Sequence, residues 1–219
     1  MASDRYSSFE EMRECEREGI DYRMRGRSGS SGIAVFCIHG GEIEPGTSRI
    51  ADCIAGKEHS FYALEGLKES NNSDLHITST VFDEPAALEI VCESEIIISI
   101  HGCADTEEVV HIGGLDHELK ERIQKRLIES GFGALIDVNP AFRAVDQGNL
   151  CNLCGRGMGV QLEISRGLRA KMFRDLTPKG RQFPTETFHL FVQAVREAIE
   201  PFKAPPGEWA ESAGCERLQ

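Results

Sequence analysis

Two histidines, His39 and His101, each close an apolar run and each precede a glycine. Ile33-Ala-Val-Phe-Cys-Ile38 leads into His39-Gly40, and Ile96-Ile-Ile-Ser-Ile100 leads into His101-Gly102. Apolar runs of strand length suit central strands buried on both faces, and open α/β sheets gather their ligand sites beyond the carboxyl ends of such strands. Both histidines therefore stand where chemistry is expected, and the following glycines let backbone and substrate come close. Two glutamates, Glu42 and Glu44, follow in the loop after His39. A catalytic zinc takes about three nitrogen or oxygen ligands and keeps a position open for water, whose pKa it lowers to roughly 7. Two histidines from neighbouring strand ends and one carboxylate make such a set. On spacing alone either glutamate qualifies.

These side chains need a sheet to hold them. Periodicity and turn residues predict strands at 20–24, 33–38, 60–64, 75–80, 95–101, 109–112, 134–138 and 160–164. Helices are expected at 9–18, 47–55, 85–92, 116–130 and 185–200. The 116–130 helix is capped by Asp116, carries Leu119, Ile123, Leu127 and Ile128 on one face, and is stopped by Gly131. Strands alternating with helices imply an α/β fold: one open, mostly parallel or mixed sheet with helices on both faces. With 219 residues and no linker-like break, residues 1–204 are expected to form a single domain. The Pro-rich, polar residues 205–219 are expected to be a flexible tail.

Composition excludes some partners. A net charge of −12 argues against a nucleic-acid backbone, which is bound by accumulated Lys and Arg. No apolar run nears the roughly 20 residues of a membrane helix, and no apolar stretch follows a basic start near the N-terminus. The chain is thus expected to be cytoplasmic as synthesised, with no membrane partner. The eight cysteines lack a disulfide-scaffold rhythm and are expected to be mostly reduced. Cys151-Asn-Leu-Cys154 has metal-pair spacing but no second pair. The run at 26–32 precedes its strand and lacks a Gly-Lys-Ser/Thr ending, so it is a loop rather than a phosphate cradle. His111, His117 and His189 are alternative ligands in principle; His111, in a strand-like segment ten residues after His101, lacks the preceding apolar run and following glycine that flank His101.

Five ordered blocks resemble the phage-type poly-γ-glutamate hydrolase family. They are His39-Gly-Gly-Glu-Ile-Glu-Pro-Gly-Thr47; Leu75-His-Ile-Thr-Ser-Thr80 with Phe82-Asp-Glu-Pro85; Ser99-Ile-His-Gly102; Gly113-Gly-Leu-Asp116; and Gly159-Val-Gln-Leu-Glu-Ile-Ser165. The resemblance spans roughly residues 33–170. It implies a zinc carboxypeptidase- and deacylase-like fold, one Zn2+ per chain, and hydrolysis of γ-amide bonds in polyglutamate. It carries the metal ligands to His39, Glu44 and His101, and the general base and acid to Glu163. Glu42 departs from the family pattern and creates a second ligand spacing with His39, yet the pattern does not require it. For an anionic polyglutamate or acyl-glutamate substrate, His76 is expected to contact substrate. Arg156 and Arg169 are expected to pair with its carboxylates, because a guanidinium matches a carboxylate with two parallel hydrogen bonds. A deacylase of small N-acyl amino acids would share these residues, and a non-catalytic glutamate-binding module would have no use for Glu163.

Overall fold

The computed structural model describes residues 4–136 and 138–203; the proposed tail at 205–219 lies outside them. In chain order the elements are α1 (Phe9–Cys15), β1 (Tyr22–Arg27), β2 (Ile33–Gly41), α2 (Thr47–Ala55), β3 (Ser60–Gly66), α3 (Pro85–Cys92) and β4 (Ile96–Cys103). They continue with β5 (Val109–Gly113), α4 (His117–Glu129), β6 (Gly133–Ile136), β7 (Val160–Ser165), α5 (Arg166–Met172) and α6 (Glu186–Ile199). The seven strands form one mixed sheet in the order β1-β3-β2-β4-β7-β5-β6. The inner strands β3, β2, β4 and β7 run parallel, β1 is antiparallel to β3, and β5 is antiparallel to β7. The expected α/β sheet with both faces covered is the sheet found.

Alternation along the strands divides the core in two. Ile33, Val35 and Cys37 of β2, Ile96, Ile98 and Ile100 of β4, and Val160, Leu162 and Ile164 of β7 pack on one face under α2, α4, α5 and α6. Ala34, Phe36 and Ile38 of β2 and Ile97 of β4 pack on the other, with Phe9, Met12, Ala87 and Val91 of α1 and α3. By the period of two, the residues of β4 and β7 that point to this second face near the strand ends are Ser99, His101, Gln161 and Glu163. Polar residues there have left the apolar core behind and begun the site.

Several local expectations are corrected. Residues 75–80 form no strand; a 3-10 turn at Asn72–Leu75 runs into irregular chain. The physical reason is that this segment lies over the end of the sheet, where side chains rather than a neighbouring strand satisfy its backbone: Asp4 takes the Thr78 amide and His39 the Ile77 carbonyl. Strand β1 extends through Arg27, so the Gly/Ser loop begins later than expected. Helix α2 is entered from Gly46 at φ +101°, a conformation that favours glycine, with Thr47 as its first residue rather than its cap. Asp116 does cap α4, accepting the Leu119 amide at 3.0 Å. Ile128, however, is exposed and not on the buried stripe of Leu119, Ile123 and Leu127. Helix α5 was not foreseen, because its seven residues continue directly from β7 with Ser165 as a shared cap. Among the described residues six cysteines are free thiols, Cys151 and Cys154 included, while Cys92 is disulfide-bonded.

Candidate metal centre

His101 lies in register with Glu163 across β4 and β7, and Glu163 in turn lies in register with His111 of β5. One row of the sheet therefore carries His101, Glu163 and His111 on the same face. His39 reaches this row by an irregularity. Between Cys37 and Gly40, β2 advances three residues while β3 advances two, which inserts one extra residue into β2. Strict alternation would turn His39 toward the face of Cys37, away from His101. A bulge bends the strand and re-aims a side chain, and the His39 and His101 Nδ1 atoms stand 3.1 Å apart.

Glu44 completes the group. Its Oε1 lies 3.2 Å from His39 Nδ1, and its Oε2 accepts the Gly102 amide at 2.7 Å. The ligand-type atoms of His39, Glu44 and His101 all fall within 4.8 Å of one another. Each imidazole has its far nitrogen occupied: His39 Nε2 meets the Ile77 carbonyl at 2.9 Å, and His101 Nε2 meets the Ser99 hydroxyl at 2.9 Å. That is the outer support a metal-ligating histidine needs, since it fixes the ring and leaves the other nitrogen's lone pair for the ion. This donor set fits zinc, and both Nδ1 atoms and the carboxylate converge on one point. Glu42 points elsewhere and pairs with Arg181.

Electrostatics follow from burial and proximity. Burial, then the neighbouring His39, pushes His101 down to about 3, which keeps it neutral as a ligand must be. Burial pulls His39 downward too, but the Glu44 carboxylate outweighs it and the net shift is upward. Burial raises Glu44, yet His39 and the Gly102 amide bring it below the ordinary range. Glu163 moves the opposite way: burial and then the Glu44 charge hold its carboxyl well above the usual range. Two neighbouring carboxylates whose pKa values are driven apart in this manner are an arrangement able to divide the roles of fixed anion and proton-exchanging group.

Glu163 is held by a relay. Gln161 Nε2 donates to Glu163 Oε1 at 2.9 Å, and Asn149 Nδ2 donates to Gln161 Oε1 at 3.2 Å. A cavity of about 440 Å³ opens over these groups, lined also by His76, Thr78, Ser79, Asp105 and Phe142. His76 stacks on His39 with ring centroids 3.9 Å apart. Among the described residues lining this cavity there is no arginine or lysine.

The two arginines expected to meet substrate are placed elsewhere. Arg156 sits at the opposite end of the strands, where its backbone amide donates to the Glu95 carbonyl and its guanidinium pairs with Asp116 at 3.0 Å. Arg169 is buried behind the site, where it donates to the carbonyls of Ile164, Pro45 and Cys103 at 3.0, 2.8 and 2.9 Å. A Cβ on Gly102 would stand 2.6 Å from the Arg169 Cζ. The glycine after His101 thus makes room for this clamp. Asp4, Ser99, Asn149 and Gln161 escaped the sequence reading. Ser99 and Gln161 did leave a signal, because each is the polar residue two positions before a site residue in an otherwise apolar strand.

The chain is similar to known proteins over most of its length. The family model for poly-gamma-glutamate hydrolase matches residues 6–194. The UPF0714 protein YndL of Bacillus subtilis (strain 168) is 37% identical over 196 residues, covering 89% of this chain and 77% of YndL. The structure of a bacteriophage poly-gamma-glutamate hydrolase superposes with a TM-score of 0.88 at 32% identity, covering 91% of this chain and 98% of that one. The zinc-free apo form of YNDL superposes with a TM-score of 0.86 at 35% identity, covering 90% and 98%. With most of its length matched by family model, sequence relative and solved fold, this chain is a hydrolase belonging to the poly-gamma-glutamate hydrolase family.

Proposed function

We propose that this chain hydrolyses the γ-amide bonds of poly-γ-glutamate, with one zinc held by His39, Glu44 and His101 and with Glu163 as general base and acid. The observation that carries the reading is the convergence of two supported imidazole nitrogens and one carboxylate beside a buried glutamate in one open cavity. Zinc, when bound, supplies a Lewis acid that acidifies water and polarises the scissile carbonyl. Glu163 takes a proton from the attacking water and returns it to the leaving amine. Gln161 occupies Glu163 Oε1 and so leaves Oε2 for that exchange. Ile77 and Ser99 keep the two histidine rings turned inward, and the Gly102 amide holds Glu44. Thr78, Ser79, Asn149 and His76 offer uncharged polar contacts for substrate where a basic patch was expected.

The test is incubation of the purified protein with γ-polyglutamate, with and without a chelator, alongside N-acetyl- and N-succinylglutamate. Shortening of the polymer that the chelator stops and zinc restores is the expected result. Release of acyl groups without polymer cleavage would move the assignment to a small-molecule deacylase. Glu163→Gln should retain zinc while turnover drops by about two to four powers of ten, the range of a lost general base. A near-normal rate in that variant would remove Glu163 from the mechanism.

A further inference from the structure

Among the described residues, the segment before α1 reaches the candidate site through the Asp4 side chain. Asp4 Oδ1 meets His76 Nδ1 at 2.6 Å, while Oδ2 accepts from the Thr78 amide at 2.7 Å and from the Thr78 hydroxyl at 2.6 Å. One carboxylate thus brackets Ile77, whose carbonyl holds His39 Nε2. The backbone of this stretch belongs to no strand, so it lacks the ladder that fixes His101 and Glu163. The ring of His76 lies flat on His39, lines the cavity, and makes no hydrogen bond through Nε2 among the described residues. Its side chain is 37% exposed, and the residue is part of the cavity lining.

We propose that Asp4 is a positioning residue of the active site, acting through His76. An ionised carboxylate only accepts, so the imidazole nitrogen facing it must carry the proton. Asp4 therefore fixes the His76 tautomer with Nδ1–H inward and Nε2 presented to the cavity as an acceptor. The same two oxygens stop the 76–78 stretch from swinging away from the zinc ligands. A histidine that meets substrate needs such an orienting partner, because a free imidazole divides its population between two tautomers and many ring positions. Asp4 lies before the stretch matched by the family model, and 72 residues separate it from His76.

The inference rests on the hydrolase reading for its kinetic test but not for its spectroscopic one. At saturating zinc, Asp4→Ala should lower kcat on γ-polyglutamate by about tenfold to a hundredfold, the usual cost of losing an orienting partner. His76→Ala should do at least as much. The double variant should be no slower than His76→Ala, since one residue acts through the other. Asp4→Asn keeps an oxygen that accepts from His76 Nδ1 and should recover part of the rate. Losses that multiply in the double variant would overturn the proposal. Should the protein leave polyglutamate intact, the function falls while the inference is still read by 15N NMR of the His76 ring. The Nδ1–H form is expected in the parent and a mixture of tautomers in Asp4→Ala, and an unchanged tautomer there would sink it. If Asp4→Ala fails to fold, Asp4→Asn is compared with Thr78→Val. The amide can turn either its oxygen or its NH2 to the ring and should admit some Nε2–H form. Thr78→Val, with the carboxylate intact, should keep Nδ1–H, and equal tautomer populations in the two would overturn the proposal.

Discussion

Glu42 and Glu44 are two residues apart, and chemistry separates them by what each touches. Glu44 is pinned by the Gly102 amide and faces His39 Nδ1, whereas Glu42 is neutralised by Arg181 on the other side of the loop. Glu44→Gln should therefore weaken zinc binding by roughly a hundredfold or more, because an amide replaces an anionic ligand. Glu42→Gln should leave it within a few fold. Competition against a chromogenic chelator reads both; the reverse ranking would exchange the two roles. His39 and His101 were legible in the sequence because a polar residue that closes an apolar run is a local event. The choice of Glu44 over Glu42, and Glu163 altogether, became legible only through the ordered blocks around them: two loop glutamates have equal spacing claims, and nothing in a single strand says which row of the sheet it will share. Asp4 was not legible at all, for its meaning depends on a contact 72 residues away.

At the scale of elements, the site is assembled by devices that hydrophobic pattern does not encode. The extra residue in β2 turns His39 across the sheet, and Arg169 of α5 ties β4, β7 and the Glu44 loop together through three backbone carbonyls. The Pro45 carbonyl it holds belongs to the residue directly after Glu44. Arg169→Met keeps much of the side-chain volume and removes all three donors, leaving buried acceptors that cost about 1–3 kcal/mol each. The expected loss is about 3 kcal/mol or more in urea unfolding, with weaker zinc binding as the Glu44 loop loosens. A raised KM with unchanged stability would instead return Arg169 to substrate binding. The sequence misled here for a physical reason: an arginine beside an active-site strand satisfies carbonyls as readily as carboxylates. Residues 75–80 misled in the same way, because their alternation packs Leu75 and Ile77 inward without any strand beside them.

Across the whole molecule the acidic character raises a question of where stability is lost on acidification, and a histidine far from the site supplies part of the answer. His59 is 1% exposed, and its Nδ1 meets the Ser31 hydroxyl at 2.6 Å, joining the turn before β2 to the turn before β3. Burial depresses its pKa to about 4, against the partial opposition of Glu58. The ordinary value is about 6.5, so between pH 6.5 and 4 the unfolded chain binds this proton and the folded one does not. Stability therefore rises with pH across that window: the contribution is complete above 6.5 and is lost as the pH falls toward 4. The shift corresponds to at most about 3–4 kcal/mol, and solvent screening near the turn reduces this to about 2 kcal/mol. His59→Gln keeps a hydrogen-bonding side chain for Ser31 without the titration, so its unfolding free energy should fall less between pH 7 and pH 4.5. Protonation of the candidate metal ligands on acidification affects parent and variant alike, and the difference between their slopes isolates His59. Parallel pH profiles in urea titrations would show that His59 takes its proton without opening the fold.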